Sequence, residues 1–573
     1  MRKRNSSSGT STSDSRENKL VKPRRGDTSL KRRTNGKSST QSLAAPSNQH
    51  HTAHPRFSLQ AGLAVMGGRA AGALSRRLHL GGGTSIVGMV AQRLYPNMVH
   101  RLASQLEHGS ITVTGTNGKT TTSGFIAAIL SDAGLRVWRN REGSNLMRGV
   151  ASALVMRARP TGNLRREGRA ISILEIDEAV MPQLVRSITP RVAVFTNLFR
   201  DQLDRYGEVD TVAALWHQTV DKLPDTTTLV LNADDPTTAN LGASFAGQVL
   251  YFGIDDPSLD LAAPGNSSER HQVIDTRTCP QCGGEYTYTL RFYSHMGHYS
   301  CTNCGLARPQ PHVRVRNVYA EDFDRLRIQV ETPIRQGEIV IPLPGLYNIY
   351  NALAAITTAS ALQVEWSPIV SGIEQFKPAF GRGERVQVEG RSLRLLLAKN
   401  PAGFNEVLRT LFSDETPRHV LFVLNDNIAD GRDISWIWDI DFERARGNIP
   451  MAVLAGTRVF DLALRLKYAG FSQENMTIVA SVPLRAARRN GRIKDQRRIS
   501  RNGKAEEQVK ASMLNHTPVT GRYGIAEALN VAIRQTPVGE TLFIVPTYTG
   551  LLEIHRELER RGLTPHYWDE KGP

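Results

Sequence analysis

The stretch ITVTGTNGKTTTSGFIAAIL, Ile111–Leu130, constrains this chain more than any other. Ile111 to Thr114 is entirely β-branched, as a buried strand often is, and Ser123 to Leu130 reads as a helix. A glycine-bearing turn between strand and helix points backbone N–H groups at an anion on the helix N-terminus. Lys119 adds a positive charge for the β/γ-phosphates, and the Thr120 hydroxyl can ligate Mg²⁺. The usual P-loop places its first glycine two positions before Gly115, where this chain has Val113, so the loop is a shortened variant. A tight turn with an incidental lysine is the bland alternative. The order strand, glycines, Lys-Thr, helix argues against it.

The chain has 573 residues, room for two to four domains. Its formal charge of +18 is unevenly spread: residues 1–50 carry +9 and residues 481–510 carry +7, leaving +2 for the rest. The first of these segments has almost no large apolar residues and reads as a disordered basic tail over 1–55. Its charge suits anionic lipid headgroups or nucleic acid. It lacks the apolar central run of a signal peptide, and no run approaches the ~18 apolar residues of a membrane span. A cytoplasmic protein is expected. Phe57 to Pro96 is interrupted by Gly and Arg and reads as short amphipathic helices, a helical segment over 56–100.

All four cysteines fall in one stretch: Cys279, Cys282, Cys301 and Cys304, spaced C-x2-C, eighteen residues, C-x2-C. Two thiolate pairs on tight turns can meet around Zn²⁺ at ~2.3 Å. Disulfides are the alternative, and a cytosolic setting argues against them. Four thiolates close the site, so its role is structural, and His295 and His298 nearby read as surface or packing residues. The sequence between the pairs suits a small β-ribbon, over about 270–312. A ribbon beside a basic tail would also suit a nucleic-acid-binding ATPase.

Downstream of the loop, ISILEIDEA ends a strand in Glu175 and Asp177. VAVFTNLFRDQLDRYGEVD ends one at Thr196-Asn197, with Asp201 and Asp204 beyond, and TLVLNADDP ends one at Asn232, Asp234 and Asp235. Alternating apolar strands and helices indicate a doubly wound parallel α/β sheet with ligands at the carboxyl ends of its strands. Carboxylates there can hold the Mg²⁺ that bridges nucleotide phosphates, although a single one is more often a helix cap. All three clusters are expected to serve the site.

GTNGKTTT, EIDEA, TNLFRDQLDRYGE, LNADDP, LPGLYNIYNALAA and FGRGER resemble, in order, the central domain of the Mur ligases, from about Leu102 to Arg385. Those enzymes phosphorylate a carboxylate with ATP and let an amine displace the phosphate. The resemblance implies a nucleotide site made of Gly115, Thr116, Asn117, Gly118, Lys119, Thr120 and Thr121, with Glu175 at a metal site. It also implies Asn348 near the base and Arg382 at the nucleotide. Mur ligases usually have Asp-His where this chain has Asp201-Gln202, which puts a second magnesium site in doubt. Only about 55 residues separate the basic tail from Gly115, too few for the UDP-sugar-binding domain typical of Mur ligases, which favours a lipid-linked substrate.

The strand–helix units from 386 to 566 indicate a Rossmann-like C-terminal domain with a basic insertion at 481–515. LAKNPAGFN, LNDNIADGRDISWIWD and PTYTG, together with the Mur-like centre (101–385) and its four-cysteine insert, resemble the MurT family over about Phe57 to His566. These are synthetase subunits of lipid II isoglutaminyl synthase. The resemblance implies ATP-dependent amidation of the D-glutamyl α-carboxylate of lipid II, with ammonia from a separate glutaminase, GatD, in a heterodimer. No nucleic acid is expected as a partner, and a contact with the anionic inner face of the membrane fits the basic tail. The family is thought to lend a carboxylate to the glutaminase's Cys–His pair, and the matching position is Asp433. Asp426, Asp430 and Asp439 read as turn formers and caps. Trp436 and Trp438 read equally as core or as interface anchors. The alternatives are a ligase adding an amino acid, as folylpolyglutamate synthetases do, and the zinc-ribbon ATPase.

Overall fold

The computed structural model describes residues 58–78, 84–140, 145–165, 168–201, 209–261, 275–378, 381–414, 416–480 and 524–564. The basic tail expected at 1–55 and the insertion expected at 481–515 lie outside the described residues.

Strands β1 (Ser110–Thr114), β2 (Arg136–Arg139), β3 (Ala170–Glu175), β4 (Val192–Phe195), β5 (Thr228–Asn232) and β6 (Val249–Ile254) run parallel in the spatial order β6-β5-β4-β1-β3-β2. β7 (Tyr286–Tyr293) and β8 (Met296–Cys301) form a separate antiparallel hairpin, the expected ribbon. β9 (Val313–Ala320) then joins parallel to β6, and β10 (Leu326–Glu331) and β11 (Gln336–Ile341) extend the sheet antiparallel to nine strands. The central strands are buried along their whole length, so apart from Ser110, Ser172 and Glu175 they read as apolar or β-branched runs rather than alternating ones. Ala193 and Phe195 of β4 enter one core, with Trp216, Met147 and Val150. Helices Lys119–Asp132, Leu346–Ala361 and Trp366–Glu374 pack together on the other face.

β1 lies between β3 and β4, where the direction of winding reverses. Ligands bind in doubly wound sheets at the carboxyl end of that crevice, and the register there pairs Val113 with Glu175 and Thr114 with Phe195.

The second sheet has the order β12-β13-β17-β14-β15-β16. Its strands are β12 (Arg382–Val388), β13 (Arg391–Leu396), β14 (His419–Val423), β15 (Ala452–Ala455), β16 (Met476–Ile478) and β17 (Thr541–Pro546). All pairings are parallel except β12 with β13. Leu421, Val453 and Ile544 face one core, and Phe422, Leu454 and Val545 face the other. β12 spans the domain boundary expected at 385, because its whole length pairs with β13.

At the amino end of the described residues, the short helices expected before Pro96 are a 19-residue helix, Leu59–Arg77, followed by Thr84–Leu94. Of the glycines that suggested interruption, Gly62, Gly68 and Gly88 are accommodated because they lie against neighbouring backbone. Among the described residues no helix is long and apolar enough to cross a membrane.

Candidate active site

The loop Gly115–Gly118 leaves β1 and opens the helix Lys119–Asp132. Gly118 takes a left-handed conformation (φ 84°) and gives the helix no side-chain cap. No side chain of the capping residue competes with an anion for the first helical N–H groups. A Cβ on Gly118 would fall 1.9 Å from Asn351 Oδ1, and one on Gly115 would fall 2.0 Å from Thr196 Oγ1, so both positions exclude other residues. Asn197, past the end of β4, ties the loop down. Its backbone oxygen accepts from Thr116 N–H at 3.0 Å and its Oδ1 from Asn117 N–H at 2.9 Å.

Lys119 is buried and folded back over this loop. Its Nζ donates to Gly115 O and lies 3.0 Å from Glu178 Oε1. Thr120 Oγ1 donates to Glu175 Oε1 at 2.9 Å. Asn140 clamps Glu175 from behind, accepting from its N–H and donating to its carbonyl, both at 2.8 Å. Burial pushes the Glu178 carboxyl above its ordinary range, against the pull of Lys119. Glu178 and Asn140 were not singled out from the sequence, although Glu178 stands within the quoted EIDEA motif and Asn140 lies just past β2; Asn197 was, as a strand end.

The C-terminal domain closes over this site. Lys399 Nζ reaches Asp201 Oδ2 at 2.7 Å. Asn400 and Asn117 exchange amide hydrogen bonds at 3.1 and 3.4 Å, and Arg200 pairs with Asp439. Burial lowers the Lys399 pKa, but the Asp201 and Glu178 carboxylates outweigh it and hold the ammonium above the ordinary lysine value. The other Asp201 oxygen, Oδ1, is buried without a hydrogen-bond partner among the described residues. A cleft runs from Gly118 and Asn117 past Asn197, Asn348 and Tyr347 to Glu406. Asn348 is fixed in its wall by a 2.7 Å bond to Pro344 O and a 3.0 Å bond from Asn351. Arg382 begins β12. The role expected of its side chain falls outside what is described, as do Gln202 and Asp204.

The third acidic cluster does not join the site. Asp234 accepts from Arg308 at 2.5 Å, Tyr350 at 2.7 Å and Ile254 N–H at 2.9 Å. Asp235 caps the helix Pro236–Asn240 through Thr237 and Thr238 and lies 3.6 Å from the buried His295. These carboxylates are consumed by the protein, which corrects the expectation that all three strand ends serve a ligand.

The four cysteines are free thiols whose sulfurs all lie within 4.8 Å of one another. Cys279–Cys304 and Cys282–Cys301 are separated by 3.7 and 3.4 Å. A tetrahedron of thiolates at the zinc–sulfur distance has edges of about 3.8 Å, so this donor set can hold such an ion. His295 and His298 are packing residues: His295 lies against Phe199, and His298 bonds to Ile254 O at 2.8 Å.

Residues 397–502 match the family model described as MurT ligase C-terminal, and residues 113–308 match the Mur ligase middle domain. The chain is 34% identical over 408 residues to the lipid II isoglutaminyl synthase (glutamine-hydrolyzing) subunit MurT of Staphylococcus aureus (strain COL), covering 71% of this chain and 86% of that one. It is 32% identical over 422 residues to the same-named subunit of Streptococcus pneumoniae (strain ATCC BAA-255 / R6), covering 74% and 90%. The chain belongs to the MurT family. Its fold is also that of a pseudomurein peptide ligase type C from Methanothermus fervidus, at TM-score 0.53 and 22% identity, over 79% of this chain and 78% of that one.

As a MurT-family protein it is an ATP-dependent ligase of Mur type. Within the region matching the MurT C-terminal domain, the loop after β14 sorts its aspartates clearly. Asp430 is buried and bound through both carboxylate oxygens by Thr549, with Thr549 N–H at 2.8 Å. Asp426 accepts from Thr457 at 2.7 Å, and Asp439 is held by Arg200. Asp433 is exposed, with Oδ1 accepting from Ser435 N–H at 2.8 Å. Trp436 packs partly buried against Phe404, whereas Trp438 is half-exposed against Tyr468.

Proposed function

We propose that this chain phosphorylates the α-carboxylate of the D-glutamyl residue of lipid II with ATP. Ammonia from a partner glutaminase, GatD in a heterodimer, then displaces the phosphate to give D-isoglutamine. The observation that carries this reading is a phosphate loop facing, across one cleft, a domain of the MurT C-terminal type. The Gly118–Thr120 turn and Lys119 would hold the nucleotide phosphates, and Asn348 would line the base side. A carboxylate oxygen attacks the γ-phosphorus and ADP leaves. Ammonia then attacks the acyl carbon, and phosphate departs carrying that oxygen.

Thr120 and Glu175, with Asp201 nearby, would hold Mg²⁺, which neutralises phosphate charge when bound. Cys279, Cys282, Cys301 and Cys304 would hold Zn²⁺, which fixes the ribbon. The reading has the chain working at the cytoplasmic face of the membrane, where its substrate is lipid-linked.

Asp433 would orient the histidine of the glutaminase Cys–His pair, since among the described residues Asp426 pairs with Arg458, Asp430 with Thr549 and Asp439 with Arg200, whereas Asp433 is exposed and accepts from Ser435 N–H. The Asp433→Asn variant, co-purified with the glutaminase, should lose glutamine-driven amidation by about 10²–10⁴-fold while keeping amidation with ammonium chloride. Equal loss with both nitrogen sources would move Asp433 into the synthetase or the fold. Amidation with an amino acid but not ammonium would favour the amino-acid-adding ligase.

A further inference from the structure

The helix Leu59–Arg77 is inside out. Its buried face is made of small residues: Ala61, Gly62, Ala64, Val65 and Gly68. A Cβ on Gly62 would fall 2.5 Å from Pro160 O, so the helix backbone lies directly on the protein. Its large apolar residues face outward instead. Leu59, Leu63, Met66 and Leu74 recur at helical spacing on one exposed stripe, 56–68% accessible, and Leu78 follows past the last turn. Leu94 of the next helix lies against Gly67 and broadens the stripe. Seven of the fifteen exposed large hydrophobic residues among the described ones fall between Leu59 and Leu94. A monomer's surface rarely gathers its apolar residues this way without a partner.

Charge identifies the partner. From Thr28 to Leu106 the sequence holds ten Lys/Arg and no Asp or Glu. Arg77 and Arg93 are exposed beside the stripe. An apolar stripe on a segment whose only charged residues are Lys and Arg, on a helix not apolar enough to span, is the pattern of a helix lying in a lipid–water interface. Anionic headgroups supply the complementary charge.

The helix that carries Leu94 also packs on an element that leads to the active site. Gly88 of the second helix sits on the helix Met147–Arg157, where Gly88 N–H donates to Ser152 Oγ at 2.8 Å. Just before that helix, Asn145 O accepts from Asp177 N–H at 3.1 Å, beside Glu175 and Glu178.

We propose that the Leu59–Leu94 face docks this protein on an anionic bilayer, so that a lipid-linked substrate enters the cleft without leaving the membrane. The second half of this statement rests on the lipid II reading above.

The test is flotation of the full chain, co-purified with its glutaminase, on phosphatidylglycerol/phosphatidylcholine vesicles. The triple variant L63Q/M66Q/L74Q changes only exposed side chains and should keep its melting temperature while binding vesicles at least about tenfold more weakly. Tryptophan at position 63 (L63W) should show a blue-shifted emission when vesicles are added. Deleting residues 1–50 should weaken binding without abolishing it. Amidation of a water-soluble short-chain acceptor with ammonium should be unchanged in the triple variant, and its failure in the unmodified protein would count against the functional reading instead. Vesicle binding that ignores the triple change but vanishes with residues 1–50 would overturn the proposal in favour of the tail alone. So would a dimer that the triple change dissociates without affecting vesicle binding, because the face would then meet a second copy.

Discussion

Glu175, at the end of β3, and Asp235, just past β5, belong to one sheet and to similar sequence motifs, yet the protein treats them in opposite ways. Glu175 is fixed from behind by Asn140 and presents its carboxylate to Thr120, beside Glu178, Lys119 and Asp201. Asp235 spends its oxygens on Leu198, Thr237 and Thr238 and faces the buried His295. Burial pushes the Asp235 carboxyl up, but His295 and these backbone donors more than offset that and hold it below its ordinary range. A strand-end carboxylate is thus offered to a ligand where the winding reverses around β1. Two strands away it is a fixed part of the protein.

The contrast makes ordered predictions. Lys119→Ala removes the charge expected where negative charge shifts in phosphoryl transfer, and ammonium-driven amidation should fall by about 10³-fold or more, read on the protein that remains folded because the change also leaves the buried Glu178 without its cation. Near-normal rates would dissolve the distinction between the two clusters.

Lys399→Met breaks the bridge from the C-terminal domain to Asp201. Because that pair is partly exposed, its loss should cost at most about 1 kcal/mol of stability. The amidation rate should nonetheless drop about 10–100-fold if the lysine faces the transferring phosphoryl group. A large melting shift with an unchanged rate would make it a structural clamp.

Asp235→Ala should behave in the reverse sense. It removes a helix cap and the partner of a buried histidine, costing about 2–4 kcal/mol in chemical denaturation. The protein that remains folded should turn over at a rate close to normal.

What the sequence could convey divides along the same line. The phosphate loop was readable because strand, glycines, Lys-Thr and helix are contiguous. The cysteine cluster was readable because two short spacings fix two pairs of thiols. Lys399 and Asn400 were not, since they reach Asp201 and Asn117 across 198 and 283 residues of chain. Asp234 and Asp235 were misread because their partners, Arg308, Tyr350 and His295, arrive from distant segments that no local pattern announces. The glycines and arginines between Phe57 and Pro96 made the long first helix read as short ones. Glycine is a poor helix former in isolation, but here it lets backbones meet.

The measurement that bears most directly on the whole account uses lipid II carrying ¹⁸O in the D-glutamyl α-carboxylate, with ATP and ammonium. If this chain activates that carboxylate by phosphorylation, each phosphate released will carry one ¹⁸O atom from the substrate. Amidation with unlabelled phosphate would contradict it.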